Sequence, residues 1–411
     1  MKSNKIQENI LSDWKPTRLG DIVDVISGGT PDTADSDYWD GDINWITPSE
    51  ITKTGKYIIS ETKKKISNLG LKNSSATMIP KNSLILCSRA TIGECSINSY
   101  PITTNQGFKN LIPRKDILIE FLYYKIKISK KILLRMSSGS TFLEFSKKDI
   151  QKLKISLPEI NEQNRIILVL KTWDKAIEKL TKKIELKRNV KKGLMQRLLT
   201  DKLRLPGFSK PWNVFRLGDI SKMSSGGTPL SKVGRYYNGN ILWVSIADMT
   251  KQGKYITDTE KKLTEEGLQD SAAKVYPVGT ILYAMYASIG ECGIATIEMT
   301  SSQAILGIEP NKSKLNNIYL YYFLIHLKDE IKLLGQQGTQ SNLNAGIVKD
   351  FKINLPVIEE QENIVDILQS ADNEIELLEK KLNKFKEQKN YLLNNLITGA
   401  IRTPETMKIN S

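Results

Sequence analysis

The sequence contains one long pattern twice. WKPTRLGDIVDVISGGTP begins at Trp14, and WNVFRLGDISKMSSGGTP begins at Trp212. The match continues through YWDGDINWIT at 38–47 and YYNGNILWVS at 236–245. Later matches are ATIGECSI with ASIGECGI, KISLPEINEQ with KINLPVIEEQ, and QRLLTDKLR with NNLITGAIR. Because this repeat is far longer than the roughly 20 to 50 residues of solenoid and propeller repeats, each copy is predicted to fold as a domain.

Within each copy the hydrophobic pattern changes from short strands to helices. Runs such as INWIT at 43–47 and SLILCSR at 83–89 are rich in β-forming residues. They are separated by GG, TP, DG and NG turn signals, which predicts a compact, sheet-rich globule. One helix is predicted over residues 119–135, followed by a short strand that ends at a proline and then by a long polar helix.

The long helix of each copy carries a heptad pattern. Apolar residues recur at alternating spacings of four and three, which is typical of a coiled-coil seam. In the first copy the seam positions are Ile166, Leu170, Trp173, Ile177, Leu180, Ile184, Lys187, Lys191, Leu194 and Leu198. In the second copy they are Ile364, Leu368, Ala371, Ile375, Leu378, Leu382, Phe385, Lys389, Leu392 and Leu396. An isolated helix would leave this stripe exposed, so the two seams are predicted to pack on each other, with pairing between two chains as the alternative.

Together these patterns predict an α/β (α+β) chain. We expect a tandem pseudo-two-fold repeat of two globular domains, separated by two long antiparallel coiled-coil helices. Such a repeat would hold the globules at opposite ends of a helical rod. The predicted boundaries are 1–155 for the first globular domain, 156–205 for the first helix region, 206–353 for the second globular domain, 354–403 for the second helix region and 404–411 for a loose tail.

Charge and hydropathy narrow the expected partners. The chain has 60 Lys and Arg against 45 Asp and Glu, a formal net charge of +15. Such a surplus points first to nucleic acid, with a lysine bias that serves no partner as the alternative. No apolar run approaches the ~20 residues that span a bilayer, and the N-terminal stretch lacks the apolar core of a secretory signal. We therefore expect no membrane partner and a cytoplasmic location.

The residues needed for several kinds of catalytic site are missing. Cys87, Cys95 and Cys292 are too few and too scattered for a disulfide framework and are expected to be buried thiols. The single histidine, His326, lies in an apolar helical run and is expected to be a packed residue. With one His and scattered Cys, neither a zinc site nor a His-based nucleophile triad is predicted.

A two-fold repeat matches the symmetry of duplex DNA. Two reading domains on a rigid spacer reach successive major-groove faces when their centres lie about 10 base pairs apart. Double-stranded DNA is therefore the predicted partner, with each copy reading one half-site.

The motifs and their order are similar to those of one protein family. SGGTP followed by YWDGDINWIT, the SRATIGE and TNQGF runs, LPEINEQNRI before the long helix and GLMQRLLTDKLRLPGF at its end resemble the specificity subunit of type I restriction-modification systems, from about residue 14 to 404. The resemblance implies two target recognition domains, each followed by a helical spacer, and no catalytic activity in the chain itself.

The resemblance also implies the partners and the form of the DNA target. Two methyltransferase (modification) subunits would carry S-adenosylmethionine and methylate adenine, and restriction subunits would use ATP and Mg²⁺ for cleavage. No cofactor is expected in this chain. The target would be two short half-sites separated by a fixed run of unread bases.

The candidate DNA-binding residues fall into two groups. Thr30 and Thr228 belong to the SGGTP loops, whose backbone N–H groups and hydroxyls suit a phosphate, although a simple turn explains these loops equally well. The other candidates lie where the copies differ, because two domains on one scaffold need different side chains to read different bases. Arg suits guanine, and Asn or Gln suits adenine. These positions are Lys63, Arg89 and the pair Asn105-Gln106 in the first copy, and Tyr286 and the pair Ser302-Gln303 in the second, where only the first residue of the pair differs; a further mismatch is Ser49-Glu50 against Ala247-Asp248.

Ten basic residues of the first long helix are further candidates. They are Lys171, Lys175, Lys179, Lys182, Lys183, Lys187, Arg188, Lys191, Lys192 and Arg197. About half are expected to form a solvated face, and some of the others are expected to contact phosphates of the unread bases.

Three alternative functions remain open. The specificity subunit of a related system that cuts on both sides of its site would have nearly the same sequence. A stand-alone nuclease is suggested only by Asp32, Glu61 and Lys63, which resemble an acidic metal site that the second copy lacks. A structural coiled-coil scaffold would carry the helices without binding DNA selectively. An adenine methyltransferase is not favoured, because the chain lacks the Pro-Pro-aromatic loop that holds a flipped base.

Overall fold

The structure is a computed structural model that divides into two compact units. It describes residues 14–138, 143–286, 288–337 and 343–407. The first unit comprises Met1–Thr181 and Lys381–Ser411, and the second unit comprises Lys182–Lys380. Each unit therefore combines the globular part of one copy with helix segments from both copies. Of the predicted tail 404–411, residues 408–411 lie outside the described part of the chain.

The first copy forms ten strands and seven helices in its described residues. The strands are β1 (Lys15–Arg18), β2 (Val23–Ser27), β3 (Trp39–Ile46), β4 (Ile58–Ile59), β5 (Lys64–Ile66), β6 (Leu84–Cys87), β7 (Cys95–Asn98), β8 (Thr103–Thr104), β9 (Phe108–Pro113) and β10 (Lys154–Leu157). The helices are α1 (Leu19–Ile22), α2 (Pro48–Thr54), α3 (Asn68–Lys72), α4 (Ile119–Ile128), α5 (Lys130–Met136), α6 (Lys147–Lys152) and the long α7 (Ile160–Leu198).

The second copy repeats this order with small differences. Its strands are β11 (Asn213–Arg216), β12 (Ser221–Ser225), β13 (Tyr237–Val244), β14 (Tyr255–Ile256), β15 (Lys261–Leu263), β16 (Ile281–Ala284), β17 (Cys292–Ala295), β18 (Thr300–Ser301), β19 (Ile305–Pro310) and β20 (Lys352–Leu355). Its helices are α8 (Ile246–Gln252), α9 (Glu265–Gln269), α10 (Asn317–Gln337), α11 (Ala345–Lys349) and the long α12 (Ile358–Thr398). Single 3₁₀ turns occur at Ser36–Tyr38, Leu217–Asp219 and Gly234–Tyr236.

Each unit contains a five-stranded sheet, a three-stranded sheet and a two-stranded ladder. In the first unit the orders are β2-β9-β6-β7-β4, β5-β3-β8 and β1-β10. In the second they are β12-β19-β16-β17-β14, β15-β13-β18 and β11-β20. Most pairs are antiparallel, whereas β3 with β8 and β4 with β7 are parallel, as are their counterparts in the second unit. The two copies therefore share one mixed topology.

The DG and NG pairs, predicted as turns, are bulges inside single strands. Asp40 in β3 and Asn238 in β13 have positive φ angles of 56° and 65°. The pairing register of each strand shifts at this point. Asp and Asn tolerate the left-handed backbone conformation, so the strand kinks there and continues.

The five-stranded sheet of each unit packs against a helix. In the first unit Leu84, Leu86 and Leu111 of the sheet form one fully buried cluster with Phe121 and Leu122 of α4. The matching cluster in the second unit includes Ile281, Tyr283, Ile308, Tyr319 and Leu320. Burial of these apolar side chains is the main source of stability for each globule.

The single helix predicted over 119–135 is wrong, because the chain forms α4 and α5 with a break at Ser129. The Ser129 hydroxyl donates to the carbonyl of Lys125 at 2.7 Å, a local bond that competes with regular helix geometry. The aligned residue of the second copy is Leu327, and α10 is continuous there.

The heptad stripe is the packed face of the long helices in each unit. Nine seam positions are buried: Ile166, Leu170, Leu180, Ile184, Leu198, Ile364, Leu368, Ile375 and Leu396. Eleven are half-buried: Trp173, Ile177, Lys187, Lys191, Leu194, Ala371, Leu378, Leu382, Phe385, Lys389 and Leu392. Positions between them, such as Lys175 and Lys182, are exposed.

Segments of α7 and α12 run antiparallel in each unit. In the first unit Trp173 meets Phe385 edge to face, with ring centroids 5.3 Å apart. Glu162, earlier in the chain, pairs with Arg402, which follows α12. In the second unit Lys187 pairs with Glu374 at 2.8 Å, and the later Arg204 pairs with the earlier Glu360 at 2.9 Å.

Two seam lysines belong to polar networks that join three elements. In the first unit the Tyr124 hydroxyl of α4 donates to Asp174 Oδ2 at 2.6 Å, and Lys389 pairs with Asp174 Oδ1. Burial and the neighbouring Asp174 carboxylate raise the pKa of Tyr124, which keeps its hydroxyl protonated as a donor. The second unit has Tyr322, Asp372 and Lys191 in the same roles, with 2.5 Å between the Tyr322 hydroxyl and Asp372 Oδ2.

A buried glutamine anchors the start of each long helix. Gln163 Nε2 donates to the carbonyls of Asp116 and Pro158, and its Oε1 accepts from Leu118 N–H, all at 2.9 Å. Gln361 repeats these three bonds in the second unit. The glutamine of NEQ at 161–163 and that of EEQ at 359–361 therefore have a structural role.

An arginine clamp closes each unit. The Arg402 guanidinium makes two bonds to the buried Glu162 carboxylate, at 2.6 and 2.7 Å, and Trp14 Nε1 donates to Glu162 at 3.1 Å. In the second unit these roles belong to Arg204, Glu360 and Trp212. Every helix in the described part of the chain is too short or too polar to span a bilayer.

Candidate nucleic-acid interface

Four of the first-copy candidates converge around Gly107. A Cβ atom built on Gly107 would lie 3.1 Å from Asn105 Oδ1 and 3.3 Å from Arg89 Nε. The Thr30 hydroxyl donates to Gln106 Oε1. These residues follow β2, β6 and β8, so three loops meet at one end of the sheets. We call Thr30, Arg89, Asn105 and Gln106 the Arg89 cluster.

Arg89 is the unpaired cation of this cluster. It is half-buried, and its side chain has no hydrogen bond or ion pair to any residue that the structure describes. The next residue, Ala90, has a φ of 60°, which turns the chain sharply after Arg89. Asn105 Oδ1 accepts from Gly107 N–H at 2.9 Å, which leaves the Asn105 amide nitrogen as its outward donor. Guanidinium and amide donors in one place suit the acceptor atoms of base edges.

Lys63 is exposed, and no hydrogen bond or ion pair among the described residues joins it to the Arg89 cluster. Its backbone N–H donates to Glu50 Oε1 at 2.9 Å. In the second unit the buried Asp248 accepts from Glu260 N–H at 3.0 Å and caps α8. Glu50 and Asp248, which belong to the mismatch of 49–50 against 247–248, therefore both have structural roles.

The interpretation of SGGTP as a phosphate cradle of backbone N–H groups is wrong. Gly29 N–H donates to the Thr104 carbonyl at 2.8 Å, and Gly28 N–H faces the Phe108 carbonyl at 3.5 Å. In the second unit Gly226 and Gly227 donate to Ile305 and Ser301, both at 2.9 Å. A Cβ on either glycine would overlap neighbouring backbone, so the glycines allow close approach of chain segments.

The second-unit candidates occupy the same loops. Gln303 N–H donates to Thr228 Oγ1 at 3.3 Å, and Ser302 N–H donates to the Val244 carbonyl at 2.9 Å. The Gln303 and Thr228 side chains are exposed. Tyr286, at the position of Arg89, is half-buried and packs against the core. The second unit thus keeps the Thr and the Gln, but it has Ser302 in place of Asn105 and the Tyr286 phenol in place of the Arg89 cation.

Sequence reasoning missed a buried polar network beneath Arg89. Lys109 in β9 is only 7% exposed, and its Nζ lies 2.9 Å from Glu144 Oε1. The Ser88 hydroxyl donates to the same oxygen at 3.3 Å. The available signal was the alignment of Lys109 with Leu306, a charged residue against an apolar one in the middle of a strand.

The acidic residues of the nuclease alternative do not form a cluster in the described structure. Asp32 Oδ1 accepts from Ala34 N–H at 3.0 Å in a local turn, and Glu61 is exposed. No group of three His, Cys, Asp or Glu in the described ranges is placed to hold a metal ion. The three cysteines are buried free thiols, as predicted. His326 is half-buried in α10.

Nine of the ten candidate basic residues of α7 fall into a paired group and an exposed group. The ion pairs are Lys171 with Glu120, Lys187 with Glu374, Arg188 with Glu379 and Lys191 with Asp372. Lys175, Lys179, Lys182, Lys183 and Arg197 are exposed and form no ion pair with a described residue. The exposed group is available to phosphates.

Two domains of one fold, each presenting a loop cluster with different polar side chains, are typical of proteins that read two DNA sequences with one scaffold. A family model described as the type I restriction modification DNA specificity domain matches residues 11–188 and 209–387. The chain belongs to this family. It is a non-catalytic DNA target recognition protein with two such domains in tandem.

Similar proteins support this assignment. The chain is 28% identical over 413 residues to the type I restriction enzyme MjaIX specificity subunit of Methanocaldococcus jannaschii, covering 96% of this chain and 95% of that one. It is 30% identical over 176 residues to the EcoR124I/EcoR124II specificity subunit of Escherichia coli, covering 41% and 42%.

Solved structures have the same fold. The S subunit from M. genitalium has a TM-score of 0.56 at 16% identity and covers 95% of this chain and 97% of its own. A chain from a structure on complex assembly of the type I R-M system has a TM-score of 0.64 at 19% identity, covering 96% and 100%.

Proposed function

We propose that the chain recognises a bipartite, gapped double-stranded DNA target and directs adenine-methyltransferase partners to it. Each unit reads one half-site. The observation that carries the proposal is that both units present loops at the same end of the same sheets, but with different side chains. Arg89 stands where the second unit has Tyr286, and Asn105 stands where it has Ser302. A shared scaffold with divergent loops is what two different half-sites require.

The reading chemistry follows from the donors of the Arg89 cluster. The Arg89 guanidinium can grip guanine O6 and N7 with two hydrogen bonds, and Asn105 or Gln106 can grip adenine N6 and N7. In the second unit Gln303 is exposed and supplies the same kind of amide. Exposed lysines such as Lys63 and Lys182 contact phosphates, which carry no sequence information but add affinity at low salt.

The partners supply the bond-making chemistry. Two modification subunits bring S-adenosylmethionine, and restriction subunits bring ATP and Mg²⁺ for cleavage, so this chain carries no cofactor. The complex works in the cytoplasm.

Methylation mapping tests the proposal. The chain is co-expressed with its modification subunit in cells without other adenine methylation, and methylated adenines are mapped across the genome. We expect one gapped motif with a fixed spacer, and no methylation when the chain is omitted. An ungapped motif, or methylation that persists without the chain, would overturn the proposal.

A further inference from the structure

We propose that Glu144, held by Lys109, is a specificity-determining residue of the first half-site and accepts a hydrogen bond from an exocyclic amino group, cytosine N4 or adenine N6. This inference rests on the proposed function and adds an acceptor to the donors of the Arg89 cluster. The inference starts from the buried ammonium group of Lys109, which the fold itself does not require.

Lys109 is an unusual residue for the middle of a sheet. Its side chain is 9% exposed, and it lies in β9 between Phe108 and Asn110, which are both fully buried. A buried ammonium is costly unless it is paired and hydrogen-bonded. Lys109 Nζ meets this need with Glu144 Oε1 at 2.9 Å and Ser88 Oγ at 3.4 Å.

The second unit builds the same site without charge. Ser88 N–H donates to the Gly107 carbonyl, and Phe145 N–H donates to the Ser88 carbonyl. Met285 makes the equivalent bonds with Ala304 and Leu343 in the second unit. The positions of Ser88 and Lys109 are thus Met285 and Leu306, and both are buried. Since the scaffold folds with apolar residues there, the polar network of the first unit has another role.

The backbone places Glu144 beside Arg89. Residues 89 and 144 form an antiparallel β-bridge, and Glu144 is held from its other side by two backbone bonds to Ser138, at 3.0 and 3.1 Å. Despite this proximity, the Arg89 and Glu144 side chains form no ion pair. The Arg89 cation and the Glu144 carboxylate are therefore neighbours that do not pair with each other.

The Glu144 carboxylate has one oxygen fixed and one available. Oε1 accepts from Lys109 and Ser88, whereas no residue in the described ranges donates to Oε2. The side chain is 35% exposed, so this oxygen can meet a ligand. A carboxylate at a base edge accepts from an amino group, and cytosine N4 is its usual partner in the major groove. Lys109 is the positioning residue, because it acts through Glu144.

The experiment compares methylation motifs of matched variants of the full chain, co-expressed with the modification subunit. Glu144→Gln keeps the size and an acceptor for Lys109 but exchanges the free acceptor for a donor. We expect discrimination to fall by about tenfold or more at a single base position of the first half-site, with the second half-site unchanged. Lys109→Leu, which copies the second unit, should weaken discrimination at the same position, and Lys109→Arg should largely restore it.

Glu120→Gln is the control, because Glu120 is another lysine-paired carboxylate of the first unit, on α4, at 2.9 Å from Lys171. Its motif should equal that of the unaltered chain. An unchanged motif for Glu144→Gln, or loss of methylation at every site, would overturn the inference. A gapped motif in the unaltered chain leaves the proposed function standing in both cases, whereas an ungapped motif there would defeat the proposed function itself.

Discussion

Gln163 and Gln361 stand at the start of the two long helices and are fully buried. Each makes two side-chain bonds to the loop before α4 or α10, and a third to the carbonyl of a proline just before its own helix. Sequence repetition marks both residues, but the two loop partners lie 45 to 47 residues earlier in the chain, so the pattern alone could not identify these contacts. Both copies keep this glutamine because its amide nitrogen and its amide oxygen are both used in buried hydrogen bonds.

Replacing Gln163 by Ala leaves two carbonyls and one N–H without a partner in a buried place. We expect the free energy of unfolding of the first unit to fall by about 2 kcal/mol, since an unsatisfied buried polar group costs about 1–3 kcal/mol. Urea unfolding followed by tryptophan fluorescence measures the loss. Gln361→Ala should have the same effect on the second unit. Gln196→Ala, on an exposed face of α7, is the control and should change stability by less than about 0.5 kcal/mol. If the buried variants unfold like the control, the anchoring role is wrong.

At the scale of elements, the heptad pattern predicted both long helices and their packed face. Periodicity could not predict which segments meet, because an apolar stripe accepts any other stripe. The polar seam residues supply that information: Lys389 pairs with Asp174, and Lys191 pairs with Asp372. A polar residue at a seam position fixes register at some cost in stability. The local pattern also failed at Ser129, where a side-chain bond to the Lys125 carbonyl competes with the helix, and at Asp40, where the strand continues through a left-handed residue.

A double-mutant cycle tests the register role of Lys389. Lys389→Met and Asp174→Asn should each destabilise the first unit, and the double variant should lose less than the sum, with a coupling of about 1 kcal/mol for this partly buried pair. Thermal and urea unfolding provide the four values. Lys380→Met with Glu376→Gln, an exposed pair on α12, is the control cycle and should show almost no coupling. Additive losses for Lys389 and Asp174 would contradict the register role.

At the scale of the whole molecule, the two copies share one framework and differ in their loops. The sheets, the arginine clamps and the polar seam networks are the same in both units, whereas the loops after β6 and β16 differ. The sequence predicted the two domains and named Thr30, Arg89, Asn105 and Gln106 as separate candidates, but it did not predict that they meet around Gly107. It missed Lys109 and Glu144, because their pairing joins a strand to a segment 35 residues away.

If each unit reads its own half-site, a substitution in one unit changes only one half of the methylated motif. Methylated motifs are mapped for Arg89→Ala and for Gln303→Ala, each co-expressed with the modification subunit. We expect Arg89→Ala to relax or abolish reading of one half only, and Gln303→Ala to relax reading of the other half only. An equal loss in both halves from either variant, or an unchanged motif from both, would contradict this expectation.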